Sequence, residues 1–199
     1  MKMGTVKQDT RTQNQLDQSR SGNLTGDSPT EVDVAGLDGH DAALVDDDGR
    51  QSQAALEIQR GVQRVLFEHG YASLTELVLA SGRRADVVGL GRKSEIWIVE
   101  IKSSAADFKS DSKWPEYRAF CDRFFFAVHS DFPTDILPDD TGLIIADRFG
   151  GAIVRQAPDH PIAAARRKAV VLRYARAGAD RLLAKRDAGL AMSLHRASD

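Results

Sequence analysis

Arg83-Arg84-Ala85-Asp86-Val87-Val88-Gly89-Leu90-Gly91-Arg92-Lys93-Ser94-Glu95-Ile96-Trp97-Ile98-Val99-Glu100-Ile101-Lys102 reads as a β-hairpin. Ala85 to Leu90 is a short β-rich run, Gly91 to Ser94 is a polar turn containing glycine, and Glu95 to Lys102 is a second β-rich run. Side chains alternate along an extended chain. Ile96, Ile98, Glu100 and Lys102 therefore share one face, and Trp97, Val99 and Ile101 the other. Both faces are apolar, which marks a central strand covered on both sides. Glu100 and Lys102 end that strand, where buried charges are costly unless something pairs with them.

A turn centred near Lys93 sets the register and places Asp86 opposite Glu100. Two facing carboxylates repel and destabilise a bare hairpin. A divalent cation between them reverses that sign, because hard oxygen ligands are what Mg²⁺ prefers. Lys102, one pleat further along, puts an ammonium where an attacking water or a phosphate would lie. The reading depends on register, since a slip of one residue turns Asp86 to the other face.

Asp86 followed by Glu100-Ile101-Lys102 on the next strand resembles the PD-(D/E)xK nuclease superfamily, with Ala85 in place of the proline. A longer and more specific pattern resembles the MmcB-like DNA repair proteins. It comprises Ile98 to Ser104, Asp107-Phe108, Asp111, Lys113-Trp114-Pro115-Glu116-Tyr117 and Cys121-Asp122-Arg123-Phe124. The resemblance implies an α/β, restriction-endonuclease-like core with a central mixed β-sheet flanked by helices. It also implies a metal-dependent DNA nuclease acting in DNA repair, with Asp86, Glu100 and Lys102 as catalytic residues. Mg²⁺ or Mn²⁺ would be held by Asp86, Glu100 and the carbonyl of Ile101. DNA is the implied substrate, and other DNA repair proteins are the implied partners.

Working outward, the chain of 199 residues suits one domain with a tail. Residues 1–50 hold 5 Lys and Arg against 10 Asp and Glu, have few large apolar residues and show no periodicity. Such a segment cannot bury enough apolar surface to offset its ordering entropy, so it reads as a disordered acidic tail. An acidic shield over a basic DNA-binding surface is the functional alternative. No apolar run is long enough for a membrane span, and the N-terminus has no apolar signal segment. With a single cysteine, Cys121, no internal disulfide can form. The expectation is a soluble, cytoplasmic protein.

Core elements are expected over residues 51–160. Ala55, Ile58, Val62, Val65 and Leu66 recur at helical spacing from near Gln53 to a stop at Gly70. Glu57 lies on this helix. First-helix acidic residues often reach the metal site in the superfamily, so Glu57 is a candidate third carboxylate; a solvated helix charge is the plainer reading. Leu74 to Leu79 is an alternating strand. Arg83 and Arg84 could touch a phosphate backbone or simply keep a turn soluble. Asp111 or Ser112 can cap a helix starting at about Ser112, with Pro115 tolerated in its first turn. On it Lys113 and Tyr117, four apart, would face the site together and resemble the Q-x-x-x-Y motif of some superfamily members, with Lys113 in the glutamine's place. Trp114 reads as a core aromatic rather than a base-stacking platform. Arg123 to Val128 is a buried strand, and Gly142 to Asp147 with Ala152 to Arg155 forms a second hairpin. The five histidines show no zinc-type spacing.

A basic helix is expected from Pro161 to about Ala188 within residues 161–199, packed on or extending the core. Arg166, Arg167 and Lys168 are its first candidates for DNA contact, and a solvated basic helix is the alternative. No base-reading element of recognisable type is present, so DNA binding should follow structure rather than sequence. Two other readings compete with an active nuclease: a catalytically weak or inactive DNA-binding repair scaffold of the same fold, and a plain structural ion pair. The last leaves two opposed carboxylates sharing one lysine, a costly arrangement when desolvated.

Overall fold

The computed structural model of the protein describes residues 52–187. The acidic tail expected over 1–50 therefore lies outside the described residues, as does the end of the basic helix beyond 187. Strand β3, Ile96–Lys102, is buried at every position, as apolar residues on both of its faces require. It lies inside one mixed sheet of β1 (Ala72–Val78), β2 (Arg84–Leu90), β3, β4 (Arg123–Val128), β5 (Gly142–Ala146) and β6 (Gly151–Arg155), in that order. β2 runs antiparallel to both β1 and β3, β3, β4 and β5 are parallel, and β6 returns antiparallel to β5. The hairpin keeps the expected register, with Val87 opposite Val99 and Leu90 opposite Ile96.

Each face of the sheet has its own layer. Helix α1, Gln53–Glu68, starts where the Ser52 side chain accepts a hydrogen bond from the Ala55 amide and stops before Gly70 at φ +80°. It buries Ile58, Val62, Val65 and Leu66 against Val87, Trp97, Val99, Phe125, Ala127 and Ile144. The opposite face presents Ile96, Ile98, Phe124, Phe126 and Val128. It is covered by the 3₁₀ helix Trp114–Phe120 and by helix α3, Ala164–Arg186, through Tyr117 and Val170. Three consecutive fully buried phenylalanines, Phe124 to Phe126, join the two layers. Each contributes about 1.5–3 kcal/mol on burial. The short helix α2, Ala105–Ser110, follows β3 and is capped by Ser104, which accepts from the Asp107 amide. The result is an α/β fold with a mixed sheet between helices, as a restriction-endonuclease-like core requires.

Two local expectations are corrected. The segment after Ser112 is a 3₁₀ helix rather than an α-helix, with Pro115 in its first turn and Lys113 as its N-cap. At three residues per turn, positions four apart do not share a face, so Lys113 and Tyr117 diverge. The alternation expected from Leu74 to Leu79 also fails, because Glu76 adopts φ +49° in the middle of β1.

Gly61 allows the close approach of α1 to the turn between β5 and β6. A methyl there would collide with the carbonyl oxygens of Asp147 and Gly150. Gly61→Ala should therefore lower stability by about 1–3 kcal/mol, although alanine favours helix. Denaturant unfolding measures the loss, and an unchanged or raised midpoint would contradict this packing.

Candidate active site

Lys102, Val128 and Ile145 lie side by side across the parallel strands. The carboxyl ends of β3, β4 and β5 thus form one edge, where open α/β sheets place their ligands. At that edge the β2–β3 ladder ends with Val87 opposite Val99. Beyond it, side chains take over the role of backbone partners. The Asp86 amide donates to Glu100 Oε1 at 3.2 Å, and the Ile101 amide donates to Asp86 Oδ2 at 2.8 Å. These bonds hold the two carboxylates across the parted strands and leave the second oxygen of each outside them. Amide and carbonyl of one extended residue point to the same strand edge, so the Ile101 carbonyl also faces Asp86.

Burial sets the protonation of this pair. Glu100 is 4% exposed, and burial, with the Asp86 carboxylate beside it, pushes its pKa up to about 9. Burial also raises Asp86, against the opposing pull of the Ile101 amide and Lys102. Without a cation the pair therefore carries a proton at neutral pH. Lys102 behaves differently. Burial disfavours its charge, but the Asp111 carboxylate at 2.7 Å and Asp107 at 3.8 Å outweigh that and keep it protonated. Asp111 is held low despite burial by Lys102 and by the Lys113 amide.

The other sequence-predicted residues divide. Tyr117 is buried, donates to the Arg84 carbonyl at 2.9 Å, and has its phenol pushed up first by burial and then by Glu100 and Asp86. It belongs to the site's wall. Glu57 sits on α1, where its carboxylate accepts from Gln53 at 2.9 Å rather than joining Asp86 and Glu100. Lys113 is exposed. Arg83 is tied by two hydrogen bonds to Glu116, and Arg84 is exposed next to Asp86. Arg166 bonds the Ala119 carbonyl and lies over the Phe120 ring. Arg167 is committed to Asp122 and the Ser94 carbonyl, whereas Lys168 is exposed. Sequence reasoning gave Asp107 no role beyond the family pattern and read Asp111 only as a candidate helix cap. Their place one short helix after Lys102, the buried lysine needing a partner, was the signal that could have found them.

Two carboxylates and a backbone carbonyl form a hard-oxygen donor set, with the Lys102 ammonium beside it. Among the described residues, no three His, Cys, Asp or Glu side chains stand together as a metal-holding group. The set fits Mg²⁺, which commonly takes one or two protein carboxylates and fills its other positions with water and phosphate oxygen.

The family described as DNA repair protein MmcB-like matches residues 42–189. The chain belongs to this MmcB-like family. The match spans every strand of the sheet and all residues placed at the site. A solved protein of unknown function from Silicibacter pomeroyi is 47% identical. Its TM-score is 0.67, and the alignment covers 70% of this chain and 96% of that one. Comparison with curated proteins returns no match. MmcB-like membership carries a role in DNA repair. Among the described residues, no helix is long and apolar enough to cross a membrane.

Proposed function

We propose that this MmcB-like chain is a divalent-metal-dependent DNA nuclease of the PD-(D/E)xK type that hydrolyses phosphodiester bonds during DNA repair in the cytoplasm. The apposition of Asp86 and Glu100 across the parted β2–β3 ends carries the reading. Asp86, Glu100 and the Ile101 carbonyl would hold Mg²⁺ or Mn²⁺, and Glu57, bonded to Gln53 on α1, stands outside that ligand set. A bound divalent ion lowers the pKa of water and offsets charge on a phosphate. Lys102, held protonated by Asp111, supplies positive charge beside the reacting phosphate and is not the base. The Ile101 amide orients Asp86, and Tyr117 anchors the start of β2 through Arg84. Exposed Arg84, Lys113 and Lys168 supply contacts to the DNA backbone, which follow structure rather than base sequence.

One observation favours a second reading. Lys102 Nζ is engaged by Asp111 and lies near Asp107, which suits a DNA-binding scaffold whose lysine is released only when a repair partner docks. The test separates them. Purified protein is incubated with labelled single-stranded, duplex and branched DNA, with Mg²⁺ or Mn²⁺ or with chelator. Cleavage that requires metal and falls by roughly 10²-fold or more in Asp86→Ala and Lys102→Ala is the expected result. Binding without cleavage would favour the scaffold, and cleavage that persists in both variants would remove this site from the reaction.

A further inference from the structure

Glu76 is one of two non-glycine residues with positive φ among the described residues; the other, Ser94, lies in the hairpin turn. Such a backbone is unfavourable for glutamate and persists only when its surroundings impose it. The β1–β2 ladder pairs Thr75 with Val87 and resumes with Leu77 opposite Ala85, so it skips only Glu76 and Asp86 and keeps its register. Asp86 consequently lacks a regular ladder partner on its β1 side, and the β2–β3 ladder has already ended at Val87. The strand also changes face there. Ala85 packs in the layer under α3 and Val87 in the layer under α1, although residues two apart in a regular strand share a face.

One side chain secures the distortion. Arg181 of α3 donates through its two terminal nitrogens to the Thr75 carbonyl and, at 3.0 Å, to the Glu76 carbonyl. In a regular strand successive carbonyls point to opposite edges. The left-handed turn at Glu76 brings both to the same guanidinium, whose rigid planar fork takes the two acceptors at once.

We infer that Arg181 is a positioning residue for Asp86. It holds Glu76 in the left-handed conformation, which releases Asp86 from the β1 ladder so that its carboxylate swings across to the Ile101 amide. The C-terminal helix thereby sets the geometry of the candidate metal ligand from the far side of β1. Only the meaning of that geometry for metal binding rests on the nuclease reading.

The Ile101 amide is the reporter, because its hydrogen bond goes to the Asp86 side chain. Amide hydrogen exchange is followed by NMR in the full chain and in four variants: Arg181→Gln, Arg181→Lys, Arg181→Gln with Glu76→Gly, and Lys185→Gln. Mn²⁺ binding is measured by calorimetry in parallel. Arg181→Gln should speed exchange at Ile101 by about tenfold while the Ile98 and Val99 amides keep their protection. Arg181→Lys should rescue little. Glycine adopts positive φ without a side-chain cost, so adding Glu76→Gly should restore slow exchange at Ile101. Lys185→Gln removes the same charge from the same helix and should change nothing at Ile101. Uniform loss of protection across β3, or no change at Ile101, would overturn the inference, as would failure of Glu76→Gly to rescue. In a wild-type chain that binds no Mn²⁺ the nuclease reading fails, while the exchange rates still decide the role of Arg181.

Discussion

Replacing Glu100 with glutamine is expected to stabilise the metal-free protein at neutral and alkaline pH and, on the proposed nuclease function, to remove metal-dependent cleavage. Glu100 is buried, and its pKa rises from 4.5 to about 9, first through burial and then through the neighbouring Asp86. A carboxyl whose folded pKa lies above its unfolded value binds a proton on folding. Stability is therefore full below about pH 4.5 and declines as pH climbs toward 9. A tenfold change in proton affinity between the folded and unfolded chain is worth about 1.4 kcal/mol, so the loss across that window is on the order of a few kcal/mol. Glutamine has no proton to release and similar shape, which removes the slope. On the proposed metal site, Mg²⁺ should act in the opposite sense on the wild type, binding the ionised pair and stabilising the fold by mass action. Denaturant unfolding at pH 5, 7 and 9, with and without Mg²⁺, tests all of this. A wild-type stability that is flat or rising between pH 5 and 9 without metal would show that the two carboxylates do not share a desolvated site.

The same pair shows what could be read from the chain alone. Alternation and turn position place Glu100 and Lys102 on a buried strand and Asp86 across from Glu100, and the structure keeps that register. Such patterns are legible because each residue's face follows from its own strand period. Asp111 was harder to see. Its role depends on how a loop returns α2 over the end of β3, and that path is set by packing of Phe108 on Phe126 rather than by any local spacing. The helix expected after Ser112 failed for a related reason. Trp114 stacks on Phe124 and meets Phe126 edge-on, and Tyr117 reaches back to the Arg84 carbonyl. Those tertiary contacts accompany the tighter 3₁₀ turn where propensity alone allows an α-helix. Glu76 gave no sequence signal at all, since glutamate is not a residue that announces a left-handed backbone. Basic residues were misleading in the opposite direction. A cluster such as Arg166-Arg167-Lys168 looks uniform as sequence, yet the fold divides it between a carbonyl, a buried carboxylate and solvent.

Asp122→Ala is expected to destabilise the protein by about 3 kcal/mol or more, more than any loss of DNA contact through Arg167 would explain. Asp122 is 4% exposed and accepts hydrogen bonds from the Ile96 amide at 2.7 Å and from Arg167 Nη2 at 2.7 Å. Its own amide donates to the Ile96 carbonyl and its carbonyl accepts from His160. One residue thus joins the start of β3, the start of β4 and the first turn of α3. Burial alone would raise its carboxyl, but Arg167 and the Ile96 and Ile162 amides hold it below the usual range. The stabilisation is accordingly present at neutral pH and lost as pH falls below the ordinary aspartate pKa. Alanine leaves the Ile96 amide without its side-chain acceptor and the guanidinium with the Ser94 carbonyl but no carboxylate, which is the costly way to break such a pair. Arg167→Ala should cost somewhat less, because Asp122 retains its backbone donors. A double-mutant cycle is then expected to give a coupling of about 1–3 kcal/mol. The cycle, run by denaturant unfolding beside DNA-binding measurements at fixed salt, separates two roles that the sequence could not. Strong coupling with little change in DNA affinity makes Arg167 the clamp between α3 and the sheet. Weak coupling with a marked loss of affinity would return it to the DNA-binding surface and leave α3 held chiefly by Val170 and Arg181.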